Sequence, residues 1–143
     1  MRSALPIDPR FRLALYGAFA VLVLTGAAWL LADALKNSPE GETWQWISAS
    51  LLMVHGGVAM VALVLLGALF PVHVRLGWRN RRNRITGPTM IGINAVLIIT
   101  AFGLYYFGSE ALRPWTSNIH IAVGFALPAM TLVHVLRGRG SRS

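Results

Sequence analysis

The sequence predicts an all-α integral membrane protein, a bundle of four helices with both termini cytoplasmic, and three observations carry that reading. Hydrophobic residues make up 55% of the chain and charged residues only 13%. The charges are clustered, so that four apolar stretches stand clear of them, at 13–32, 43–74, 85–109 and 114–136. Each reaches or exceeds the roughly 20 residues a helix needs to cross hydrocarbon. The arginines, finally, gather on one side of a four-span topology, all but Arg113. Four such runs with short connections leave too little polar surface for a soluble fold.

Charge sets the expected orientation. Arg2, Arg10 and Arg12 lie before the first span, Arg75, Arg79, Arg81, Arg82 and Arg84 between the second and third, and Arg137, Arg139 and Arg142 after the fourth. Only Asp8 opposes them on that side. The other side has Lys36 and Arg113 against Asp33, Glu40, Glu42 and Glu110. By the positive-inside rule the basic side is cytoplasmic. The formal net charge of +8 is thereby explained by topology, and nucleic-acid binding is not expected.

The 143 residues read as one transmembrane domain, with helices at 13–35, 44–73, 88–107 and 115–136. Residues 1–12, containing Pro6 and Pro9, are expected to be irregular at the membrane surface. The first helix is rich in Ala, Leu and Val and reads as a structural wall that stays in the membrane as a signal anchor. A turn over 37–42, NSPEGE, leads to Trp44 and Trp46, which mark the headgroup level at the start of the second helix. Pro71 should kink or end that helix, because it lacks a backbone donor and its ring crowds the preceding turn. The basic segment 75–87, RLGWRNRRNRITG, is an inside loop with a second reading: its arginines, Arg75 foremost, present planar forks of donors to cofactor carboxylates or anionic lipid headgroups. The third helix ends in Leu104, Tyr105, Tyr106 and Phe107, an aromatic belt, and Trp115 opens the fourth. Pro128 is expected to kink the fourth.

All four histidines lie in the second and fourth stretches. His55 and His73 are eighteen residues apart, which in a straight α-helix is five whole turns and about 27 Å on one face. His120 and His134 are fourteen apart, about 21 Å and within roughly 40° of one face. In a four-span topology these two helices run the same way, so His55 and His120 lie toward the outer side and His73 and His134 toward the cytoplasm. Ionisable groups inside a bilayer are expensive and usually functional. Opposed imidazoles from two helices are what bis-histidine ligation of a haem iron requires. Gly124, one turn from His120, leaves space on the histidine face for a flat ring. A histidine in a membrane helix also serves ordinary helix contacts, and that reading stands beside the ligand reading. The absence of cysteine excludes disulfides, iron–sulfur clusters and covalently attached haem.

At these residues the sequence resembles the bacterial four-helix membrane cytochromes b, being loosely similar to cytochrome b561 and to the b-type subunits of membrane dehydrogenases. The resemblance covers about residues 44–137. It is carried by HGGVAMVALVLLGALFPVH (55–73), GWRNRRNRITG (77–87), LIITAFGLYYFGSE (97–110) and NIHIAVGFALPAMTLVH (118–134). It implies two non-covalent haems b in the bacterial inner membrane, ligated by His55 with His120 and by His73 with His134. The wide spacing in the second helix departs from the equal spacing of the respiratory cytochromes b. The expected function is electron transfer between the quinone pool and an extracytoplasmic flavoprotein or c-type cytochrome. With no flavin or nicotinamide motif, the chain reads as an electron-transfer subunit and not as a complete enzyme. Two rival readings are a haem-free structural or assembly subunit and, lower, a transport path, which lacks an intramembrane carboxylate.

Overall fold

The computed structural model describes residues 7–79 and 85–140. Among them there are helices and turns and no strand. In chain order the helices are α1 (Pro9–Leu35), α2 (Gly41–Leu69), a π-helical turn (Phe70–Val74), α3 (Arg75–Arg79), α4 (Thr86–Tyr106) and α5 (Leu112–Gly140). Four of them, α1, α2, α4 and α5, are long and apolar enough to cross a membrane. The chain forms two compact units, Met1–His73 and Val74–Ser143, and each contains one helical hairpin.

In the first unit α1 packs on α2. The helix starts earlier than the two prolines suggest: Pro9 occupies the first helical position, where its missing N–H costs nothing, and the Asp8 carboxylate caps the turn. Asp8 Oδ1 accepts from the Arg10 N–H at 2.7 Å and from the Phe11 N–H at 3.4 Å. Residues 9–12 are therefore helical, which corrects the expected irregular tail. One face of α1, Leu15, Ala18, Leu22, Thr25, Trp29 and Ala32, is the less exposed one, with the alternating three- and four-residue steps of a packed helical stripe. On α2 the corresponding face is His55, Ala59, Ala62, Leu66 and Leu69. The histidine face predicted from spacing is thus the packed face, and Ala62 is its most buried member.

The connection is tight. The Ser38 N–H donates to the Leu35 carbonyl and the Gly41 N–H to the Ser38 carbonyl. A side chain at Gly41 would collide with the Lys36 carbonyl, so this position has to be glycine. α2 then begins at Gly41, three residues before the expected start, with Glu42 in its first turn, where a negative charge is favoured.

In the second unit α4 packs on α5. The less exposed face of α4 is Thr86, Met90, Ile93, Leu97, Thr100 and Gly103; that of α5 is His120, Gly124, Leu127, Thr131 and His134. The turn between them is fastened at both ends. Arg113 donates from its guanidinium to the Leu104 carbonyl at 3.0 Å, satisfying a backbone acceptor at the end of α4. The Ser109 hydroxyl accepts from the Leu112 N–H at 3.3 Å at the start of α5. Gly103 allows the closest approach: a Cβ there would lie 2.7 Å from the Phe107 ring and 3.2 Å from the Thr116 methyl.

The two prolines behave differently. The regular part of α2 ends at Leu69 and the π-turn takes in Pro71, as a helix does when it absorbs a residue that cannot donate. α5 runs on as α-helix through Pro128. Both prolines follow a glycine by four residues, Gly67 and Gly124, so local sequence does not separate them. Location does. Pro128 lies inside a span that covers Leu112–Gly138, where opened backbone groups would go unsatisfied, whereas Pro71 falls just beyond the span Gly41–Leu69. Helical structure resumes over Arg75–Arg79, so the first residues of the expected basic loop are helical.

Large apolar side chains such as Leu24, Met53, Met60, Val64, Ile99 and Leu132 are exposed on the helices, as contact with lipid requires.

Candidate functional site

The first unit brings Thr25 of α1 against His55 of α2, with Oγ1 and Nδ1 2.9 Å apart. Thr25 also reaches back along its own helix, its hydroxyl lying 2.7 Å from the Val21 carbonyl and 3.2 Å from that of Leu22. Gly26 adjoins the same imidazole, where a Cβ would lie 3.6 Å from Cε1. The second unit repeats this arrangement. Thr100 Oγ1 of α4 lies 2.8 Å from Nδ1 of His120 on α5, and 2.7 and 3.1 Å from the carbonyls of Val96 and Leu97.

Proton counting assigns the imidazoles. A threonine hydroxyl has one proton and two lone pairs. Carbonyl oxygens only accept, so the short contacts to Val21 and Val96 use that proton. The remaining contact then runs the other way: Nδ1–H of the histidine donates to the threonine oxygen. In this tautomer Nε2 carries the lone pair.

His134 meets a third threonine. Its Nδ1 lies 3.1 Å from Oγ1 of Thr86, a buried residue in the first turn of α4. The spacings match: Thr86 and Thr100 are fourteen residues apart on α4, and His120 and His134 are fourteen apart on α5. Because the α-helix persists through Pro128, both histidines keep the register that the sequence arithmetic assumed.

His73 stands apart. It is the fourth residue of the π-turn, and its side chain is exposed. A π-turn holds one residue more than an α-turn, so the straight-helix arithmetic does not carry through: His73 is rotated off the His55 face by up to about 100°. The residue one turn earlier on that face is Leu69.

Of the other predicted site residues, Gly124 sits on the packed face of α5, where an added Cβ would make ordinary contact with Leu97 at 3.9 Å. Arg75 is exposed at the start of α3. Arg2, Arg81, Arg82, Arg84 and Arg142 lie outside the described residues. Among the described residues no group of three or more His, Asp or Glu side chains is disposed to hold a bare metal ion.

The threonines were not singled out from sequence, although two signals for them exist. The segments VLVLT at 21–25 and VLIIT at 96–100 agree at Val, Leu and Thr, and the fourteen-residue step occurs in α4 as well as in α5. Neither signal has meaning until α1 is known to lie against α2 and α4 against α5. Comparison with protein-family models, with curated proteins and with solved structures finds no match to this chain.

Proposed function

We propose that the protein is a dihaem b-type cytochrome of the bacterial inner membrane, relaying electrons between a quinol or quinone and an extracytoplasmic redox partner. The observation that carries this reading is that three of the four histidines are held through Nδ1 by threonines of the neighbouring helix. Such bracing orients an imidazole and directs Nε2 at a metal. A histidine that only joined helices would have no need of a particular tautomer repeated in two hairpins.

In this reading His55 and His120 are the axial pair toward the outer side, and His73 and His134 the pair toward the cytoplasm. Bound haem supplies a reversible one-electron iron centre whose potential depends on axial ligation and burial. Gly26 leaves the edge of the His55 ring uncrowded. Arg75, at the basic end of α2, has the charge and reach to meet a propionate. The apolar helices exclude water and lie in lipid. Both termini are cytoplasmic by the distribution of arginine.

A pyridine haemochrome count with a reduced-minus-oxidised spectrum tests the proposal. Two b-type haems per chain are expected, reducible by quinol and reoxidised once the outer partner is added. Absence of haem from protein made with ample haem would reject it. The second reading, a haem-free assembly subunit, is favoured by one fact: each Thr–His contact lies within a hairpin, where it also joins two helices. Orientation has its own test, helped by the absence of native cysteine. Asn37→Cys should react with an impermeant thiol reagent from outside the cell and Trp78→Cys only after lysis; the reverse would invert the topology.

A further inference from the structure

The two hairpins carry the same device on the same elements: a threonine on the first helix, its hydroxyl proton committed to the carbonyl four residues back, facing a histidine Nδ1 on the second. The distances agree within 0.1 Å, 2.7 and 2.9 Å for Val21–Thr25–His55 against 2.7 and 2.8 Å for Val96–Thr100–His120. The neighbourhood agrees too. Seven residues beyond each histidine, on the same face, stands a buried apolar residue, Ala62 or Leu127.

We infer that Thr25 and Thr100 are positioning residues that hold His55 and His120 in the Nδ1–H tautomer, and that they are equivalent members of a duplicated hairpin; Thr86 braces His134 through the same ring nitrogen. The assignment of the tautomer stands on the hydrogen bonds alone. Its consequence for redox potential rests on the haem reading above.

The consequence follows from the direction of the proton. An acceptor on Nδ1–H pulls that proton away from the ring and makes Nε2 a stronger donor. A stronger donor favours ferric over ferrous iron and lowers the potential. A neutral hydroxyl is a weaker acceptor than a carboxylate, so the effect is modest. Thr100→Val keeps the shape and removes the oxygen. It should raise the ferrous-to-ferric ratio at a fixed potential about threefold, a shift of about 30 mV at 59 mV per decade. Thr25→Val should act in the same direction, since Thr25 meets His55 as Thr100 meets His120.

The experiment uses the full chain in detergent, labelled with 15N-histidine, in haem-free and haem-loaded form. With four histidines, each ring is assigned by a single His→Gln variant. In the haem-free protein the Nδ1 of His120 should give the protonated, pyrrole-type signal. Thr100→Val should move the population toward Nε2–H, and Thr100→Ser should restore it. Redox titration of the haem-loaded variants then reads the potential, with Thr100→Ser again matching the parent. A His120 protonated at Nε2 in the parent, or a His120 tautomer unchanged by Thr100→Val, would overturn the inference. These outcomes separate from failure of the haem reading: protein that takes up no haem but shows the tautomer shift keeps the threonine assignment, while protein that loads two haems without any shift loses it.

Discussion

Set side by side, the two hairpins differ in their second halves. Both begin alike, with Thr25 against His55 and Thr100 against His120. In the second unit the pattern repeats fourteen residues on, where Thr86 meets His134 across the same two helices. In the first unit it does not. The positions that mirror Thr86 and His134 are Phe11 and Leu69, and the remaining histidine lies four residues further, inside a π-turn that Pro71 opens. The two hairpins thus share one Thr–His position and differ at the other.

The largest effect expected concerns the common position. His55→Ala and His120→Ala should each remove one of two haems, and the double variant should remove no more than either single one. A haemochrome count checks this. If the double variant lost both haems, the two histidines would serve different sites and the equivalence of the hairpins would have no bearing on ligation.

Packing gives the next effect. Gly103→Val places methyls against the Phe107 ring and Thr116 and should destabilise the second hairpin by about 1–3 kcal/mol, a usual cost of overpacking. Gly17→Val in α1 meets nothing within 4 Å and should be near neutral. Denaturant or thermal unfolding in detergent measures both; equal effects would mean that Gly103 is not the close contact of its hairpin. Gly41→Ala is the corresponding lesion of the first unit, through the Lys36 carbonyl.

The smallest effect is the most specific to the asymmetry. Pro71→Ala should let α2 continue as α-helix and return His73 toward the His55 face, whereas Pro128→Ala should leave His134 in place, since α5 is already α-helical there. The electron paramagnetic resonance spectrum of the inner haem, which reports the angle between its two imidazole planes, should change in the first variant only. A change of equal size in the second would mean that Pro128 also sets its histidine.

Much of the architecture was legible from the residues. The four long apolar helices, the turns near Ser38 and Ser109 and the packed faces running from His55 to Leu69 and from His120 to His134 all follow from charge spacing and helical period. The helix ends were less so. Asp8 and Pro9 form an N-terminal cap that looks like a broken tail until the carboxylate is seen to accept from Arg10 and Phe11. The arithmetic for His73 failed because it assumed one helical pitch through Pro71.

Composition and periodicity determine which residues share a face, because those depend only on the chain's own repeat. They set four spans, two histidine-bearing helices and the stripe of small and apolar side chains around each histidine, about 100° wide because neighbours three and four apart lie roughly 60° to one side and 40° to the other. Which helix lies against which is a matter of packing between segments distant in sequence. Only the tertiary structure could place Thr25 thirty residues back from His55, and Thr100 twenty back from His120, within hydrogen-bonding distance. A hydroxyl in a membrane helix ordinarily bonds its own backbone; a second partner, and with it the tautomer of a histidine, is decided by the neighbour that the fold supplies.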